Sequence, residues 1–305
     1  MKKAVSLFSL WLILCGNTFS QTTPPTKVRV RGVELTYIER GRGEPLILLH
    51  GGQGDYRSWQ PQMEFWSKTF RVISYSRRYH YPNNNPLISD YRSGYTDSSD
   101  LAAFIKMMKL KKVHLVGTSA GALVALKYAV DHPKMVSSLV LAEPPVHQWI
   151  TGTPSGLSVY NEFMTKTWKP AGEAFRSGND AEAMRILVDE FGGPGAFERM
   201  PPAAKAVSMG NSRFFKAATA SADPFPALPR EKVRRLKMPI LIVRGEDTIE
   251  IHKLVNAELE KVLPAAVRAI IPKAGHGSPR ENPAAFNEAI RRFYSAHKVA
   301  GLTGG

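Results

Sequence analysis

Short, almost wholly apolar runs alternate with helix-patterned stretches along this chain, and that alternation constrains its fold more than any other feature of the sequence. The runs lie at Leu46–Leu49, Arg71–Tyr75, Val113–Gly117, Ser138–Ala142, Ile240–Arg244 and Val267–Ile271. Helical spacing of apolar residues fills Trp59–Lys68, Ser98–Lys109, Ala120–Asp131, His252–Leu263 and Pro283–His297, with Asp97 and Asn282 placed as N-caps. Strands that are apolar on both sides of the pleat need cover on both faces, and strands joined through helices run parallel. The prediction is an α/β fold: a mostly parallel central sheet with helices on both faces. Ahead of it, "KVRVRGVELTYIERG" reads as a hairpin turning near Gly32.

One block breaks the rhythm. From Pro144 to Met238 the pattern is helical, interrupted by "GTPSG", "FGGPG", "MPPAA" and "DPFPALP", with no strand evident. It is read as a helical lid at 144–238, inserted after the sixth strand between core parts at 21–143 and 239–305. Residues 1–20 read as a cleavable signal peptide: Lys2 and Lys3, the apolar run Ala4–Leu14, then Gly16–Ser20. The expected location is therefore periplasmic or secreted. Cys15 is the single cysteine and lies in that leader, so the mature chain is expected to have no disulfide and no cysteine-based metal site.

The chain has 305 residues, 43% of them hydrophobic and 22% charged, which is enough to bury a large core. Removing Lys2 and Lys3 from the 41 Lys+Arg leaves 39 against 26 acidic residues, a net charge of +13. The basic residues are scattered, with no aromatic-interleaved basic repeat or zinc-finger spacing. This argues against specific nucleic-acid recognition and leaves loose association with anionic surfaces. The sequence is silent on oligomeric state.

Three segments carry chemistry. The run "VHLVGTSAG" sets Gly117-Thr118-Ser119-Ala120-Gly121 between an apolar strand and a helix. A serine in a turn that tight needs small neighbours and strained dihedrals, and its hydroxyl then projects beyond the sheet as a candidate nucleophile. The amide of Ala120 points into the same space. In "LILLHGGQG" the glycines after His50 allow close backbone approach, so the Gly52 amide is the second candidate oxyanion donor, with Gln53 beside it and His50 packing within the loop. His276, in the Gly-flanked loop of "IIPKAGHGSPRENP", is the candidate general base. His80, His147 and His252 also lie near loops or element ends but lack that setting.

These segments, in this order, resemble the α/β-hydrolase superfamily over nearly the whole chain after the leader. The resemblance implies Ser119 as nucleophile, His276 as base, Gly52 and Ala120 as the oxyanion hole, and neither cofactor nor metal. The usual acid position falls on Thr248, in "PILIVRGEDTIE", which is no carboxylate. The acid then comes from Glu143, at the end of "SSLVLAEPPV", as in relatives that draw a Glu from that strand, or from Asp247 or less favourably Glu246 in the same loop as Thr248. Glu143 is preferred because a carboxylate closing an apolar strand needs a partner if buried. Where many relatives carry Asp-x-Arg-Gly-x-Gly, this chain has Ser76-Arg77-Arg78-Tyr79-His80-Tyr81; Arg78 matches the family arginine, and the pocket roles of Tyr79 and His80 are open. Tyr160, Phe163, Trp168, Phe214 and Phe215 are read as core rather than substrate contacts.

The expected activity is a serine hydrolase cleaving a small ester, thioester or lactone through an acyl-enzyme on Ser119, with a small-molecule substrate as its partner. Rival readings are an aminopeptidase or amidase, since "HGGQG" looks like the His-Gly-Gly-Pro-Gly of proline iminopeptidases, a cofactor-free C–C bond hydrolase, and a ligand-binding receptor with a vestigial triad.

Overall fold

A computed structural model describes residues 24–299; the leader read at 1–20 lies outside them. Eight strands form one sheet: β1 (Thr26–Val30), β2 (Val33–Arg40), β3 (Pro45–Leu49), β4 (Arg71–Tyr75), β5 (Val113–Thr118), β6 (Val136–Ala142), β7 (Ile240–Gly245) and β8 (Val267–Ile271). Their spatial order is β1-β2-β4-β3-β5-β6-β7-β8. The pairs β1/β2 and β2/β4 are antiparallel and every other pair is parallel. The hairpin turns through Arg31 and Gly32, both at positive φ.

The both-sides-apolar strands divide their side chains between two cores, as a period of two requires. Ile47 and Leu49 of β3, Leu139 and Leu141 of β6, and Ile240 and Ile242 of β7 join Leu101, Leu123 and Val255 on one face. Leu46, Leu48, Val140, Leu241 and Val243 meet Trp59, Trp66, Phe286 and Phe293 on the other. The helices Tyr95–Met107, Ala120–Asp131 and Glu250–Val262 cover the first face, and Gln60–Trp66 and Pro283–Ala296 the second. Each such side chain, fully buried, contributes about 1.5–3 kcal/mol.

One cap differs from expectation. Asn282 caps the last helix, its side chain accepting from the Ala285 N–H, but the helix predicted to start at Ser98 begins three residues earlier, after Gly94. Asp97 lies inside its first turn, buried, because its carboxylate is bonded to Arg77 instead of capping.

Between β6 and β7 the described chain forms helices and no strand, including Pro154–Phe163, Lys169–Arg176, Asp180–Gly192, Pro202–Gly210 and Ser212–Ala220. Thr153 and Asn179 cap two of them. Asn211 ties this segment to the core: its Nδ2 donates to Asp55 at 3.0 Å and its Oδ1 accepts from the Tyr81 N–H at 2.9 Å. Among the described residues no helix is long and apolar enough to cross a membrane.

Candidate active site

The carboxyl ends of β3, β5, β6, β7 and β8 converge on one cavity of about 720 Å³. Ser119 stands between β5 and the helix Ala120–Asp131 with φ 51° and ψ −125°, a conformation that a residue with a Cβ holds only when its surroundings impose it. Its N–H donates to the Ala142 carbonyl at 2.7 Å, which pins the turn to β6. The two glycines of the turn are there for space. A methyl on Gly121 would lie 2.2 Å from the Leu49 carbonyl oxygen, and one on Gly117 2.6 Å from that of Gly121.

The Gly51-Gly52 loop lies against this turn: a methyl on Gly51 would come within 3.3 Å of Ser119 Cβ. Gly52 itself is packed beneath Phe214 and Phe215, 2.8 and 2.5 Å from where its Cβ would be, so only glycine fits under the lid there. Gly52 and Ala120 border the cavity, and among the described residues no protein acceptor takes the N–H of either.

Behind the loop lies a polar support that the sequence did not reveal. Arg77 donates to Asp97 at 2.5 Å and to the Gly51 carbonyl at 3.3 Å, and its own N–H donates to His50 Nε2 at 3.1 Å. His50 Nδ1 bonds the Gly51 carbonyl at 2.8 Å, so His50 holds the loop, in line with its expected packing role. Arg78 pairs with Asp100 through two bonds of 2.8 Å. The open question about Tyr79 and His80 is answered by position: neither borders the cavity. The Tyr79 hydroxyl accepts from the Ile88 N–H, and His80 stacks on Phe214 at 4.8 Å.

Glu143 follows β6 at φ 52° and is 1% exposed. Its Oε1 accepts from the Gly245 N–H at 2.8 Å, and its Oε2 from the Thr248 hydroxyl at 2.8 Å and from His276 Nδ1 at 2.6 Å. The residue at the usual acid position thus braces the carboxylate that lies in its stead. Asp247 and Glu246 are exposed and neither carboxylate bonds His276; that of Glu246 accepts from the Lys273 N–H instead. With Nδ1 held by Glu143, Nε2 is the nitrogen of His276 left for chemistry, in the cavity that Ser119 also borders. No hydrogen bond of the structure joins the Ser119 hydroxyl to it, a common state of such pairs without substrate.

The lid contributes more to the cavity than the sequence suggested. Phe163, Trp168, Phe214 and Phe215 are buried yet form its walls, with Phe191 and Phe225; of the five aromatics read as core only Tyr160 stays away from it. A lid residue can be core and contact at once because the cavity is itself an apolar interior. Two histidines set aside in the sequence for lack of the setting of His276 prove to border the cavity: His147, just beyond β6, and His252, in the first turn of the helix after β7. Their placement at strand carboxyl ends, where ligands of parallel sheets bind, was the available signal. Oxygen and nitrogen atoms of Glu143, His252 and His276 come within 4.8 Å of one another. The two imidazoles, however, lie in parallel planes, 1° apart, so their in-plane lone pairs do not converge on a shared ion.

Burial pushes the His50 and His147 imidazoles down from 6.5 to about 3, with the Arg77 charge adding to the effect at His50 and His276 at His147. Unfolded, both rings bind protons below pH 6.5; folded, they stay neutral until about pH 3. They therefore cost no stability above pH 6.5, and as pH falls from there toward 3 protonation of the unfolded chain alone destabilises the fold, by about 1.4 kcal/mol per imidazole per pH unit. The melting temperature should drop between pH 7 and pH 5, and His147→Phe should flatten the slope. A Tm unchanged over that range would show that these rings are not held neutral.

The strands β4 to β8, the strained serine turn and the Glu143–His276 pair all sit within residues 46–289, the stretch that matches the model of the Alpha/beta hydrolase family. The chain belongs to that family. It is 25% identical over 303 residues to the uncharacterized carboxylesterase nap of Bacillus subtilis (strain 168), covering 94% of this chain and 89% of that one. Among solved structures it resembles the enol-lactonase from Burkholderia xenovorans LB400 (TM-score 0.72, 20% identity, 88% of this chain and 100% of the other). It also resembles Est816, described as an N-acyl homoserine lactone degrading enzyme (TM-score 0.70, 24% identity, 88% and 100%). At these identities the structural likeness shows the shared fold.

Proposed function

We propose that the protein is a serine hydrolase acting on a small, largely apolar ester, thioester or lactone. The observation that carries the reading is the 2.6 Å bond from His276 Nδ1 to a buried Glu143, in a site whose cavity also holds the strained Ser119. His276 Nε2 takes the proton of Ser119 Oγ as Oγ adds to the carbonyl carbon, and the carbonyl π pair moves onto its oxygen. The Gly52 and Ala120 amides donate to that oxyanion, assisted by the N-terminus of the helix Ala120–Asp131. Collapse of the adduct breaks the bond to the leaving oxygen or sulfur, which takes the proton from Nε2. Water repeats the sequence on the acyl-enzyme and frees Ser119.

The walls favour this substrate class over the amine of an aminopeptidase substrate. Phe163, Trp168, Phe191, Phe214 and Phe225 give the acyl or alcohol portion an apolar berth, and none of the cavity-bordering residues of the lid is acidic. An ammonium against those walls would find no counter-charge from the lid; Glu281, which borders the cavity from outside the lid, is exposed and already accepts from the Gly275 N–H.

The test is covalent labelling. A fluorophosphonate should modify Ser119 stoichiometrically, located by mass spectrometry of the labelled peptide, and p-nitrophenyl esters should be hydrolysed, with both signals absent in Ser119→Ala. Ester turnover that persists in Ser119→Ala, or wild-type protein inert to both reagents, would refute the reading.

A further inference from the structure

We propose that His252 is a positioning residue for His276: its ring, stacked flat on the His276 imidazole, sets the plane in which that imidazole works. The proposal deepens the hydrolase reading and rests on it for the role of His276.

The two rings lie face to face, with centroids 4.1 Å apart and planes 1° from parallel. They come from neighbouring strand ends, His252 from the first turn of the helix that follows β7 and His276 from the loop that follows β8. The bond to Glu143 fixes the His276 ring at one atom, Nδ1, and leaves it free to tilt about that contact. A flat neighbour at van der Waals distance removes the tilt and aims Nε2 at one spot in the cavity. The stack also shields the Nδ1–Glu143 hydrogen bond from solvent; the His276 side chain is only 11% exposed.

His252 is otherwise costly. It is 1% exposed and, among the described residues, neither of its nitrogens has a partner. An unpaired buried donor or acceptor loses its hydration without return, so hydrogen bonding does not account for this ring. Its face does. Phe191 closes the same corner, 5.1 Å from His276, and His147 lies 5.8 Å from His252. The titratable groups that face His252 are thus His147 from beyond β6, His276, and the Glu143 carboxylate. Burial, followed by the nearness of His276 and His147, pushes the His252 ring well down from its ordinary range. It therefore stays uncharged beside His276, and the imidazolium formed during turnover meets a neutral π face instead of a second cation.

The test compares an aromatic and two aliphatic replacements in the full chain. In His252→Leu, kcat for a p-nitrophenyl ester should fall about tenfold or more with KM within about twofold, because orientation is lost while binding is not. A low-field proton resonance of Nδ1–H, expected in the wild type from the 2.6 Å bond to Glu143, should disappear through exchange with water. His252→Phe restores the face without the nitrogens: it should keep the resonance and bring kcat back to within about threefold of wild type. His252→Met replaces the leucine variant if melting shows that one unfolded. An aliphatic variant with wild-type kcat and an intact resonance would overturn the proposal. So would a phenylalanine variant as impaired as the aliphatic ones, since a nitrogen and not the face would then be at work. The resonance needs no turnover: loss of the line in an aliphatic variant of a protein that fluorophosphonate does not label would refute the hydrolase reading and leave the positioning intact.

Discussion

Replacing Glu143 by Gln is expected to lower kcat for ester hydrolysis by about 10³- to 10⁴-fold with little loss of stability. The reason lies in which end of the new amide must face which neighbour. Oε1 accepts from the Gly245 N–H, a main-chain donor that cannot turn away, so the glutamine oxygen is held at that end. Its NH2 is then left facing Thr248 and His276, where Oε2 had accepted two bonds. The Thr248 hydroxyl can rotate to accept. His276 can accept only by giving up the Nδ1 proton, which moves the proton to Nε2 and leaves no base toward Ser119. The exposed Asp247, changed to Asn, should stay within about twofold of wild type, as surface substitutions away from partners generally do. Steady-state kinetics on both, with melting curves to establish folding, provide the check. A Glu143→Gln protein with full kcat would remove Glu143 from the reaction.

Arg77→Met should be the more damaging change to the fold. Arg77 and Asp97 are each 1% exposed and 2.5 Å apart, and removal of the guanidinium leaves a buried carboxylate with the Tyr91 hydroxyl, at 3.0 Å, as its remaining partner. Breaking a buried pair from one side costs about 3–5 kcal/mol. In a chain of this size that corresponds to a fall in Tm of roughly 10 °C. Part of the loss should return in Arg77→Met/Asp97→Asn, because the second change removes the stranded charge. Activity should fall as well, since the same guanidinium anchors the Gly51 carbonyl beside Ser119. A single variant that melts with the wild type would show that the pair contributes nothing net.

Much of this molecule was legible from local pattern. A strand buried on both faces is apolar at every position, and Leu46–Leu49 or Ile240–Val243 announces itself without knowledge of its neighbours. The turn at Ser119 was legible for a related reason: its glycines answer clashes with backbone close by, so the constraint is written within five residues. The cap at Asn282 is equally local, whereas Asp97 misled because a partner twenty residues earlier outcompeted the helix terminus.

Sequence alone therefore determined the α/β architecture, the helical block between β6 and β7, and the residues that form the serine turn, because each depends on period, size or conformation over a few positions. Tertiary structure alone decided which carboxylate meets His276, that Arg77 supports the Gly51-Gly52 loop, and that six lid aromatics and two buried histidines border the cavity. Those outcomes rest on contacts between strand ends and lid segments more than a hundred residues apart in some cases, as with Glu143 and His276. Their geometry is fixed by how the sheet orders its strands and carries no local trace in the residues themselves.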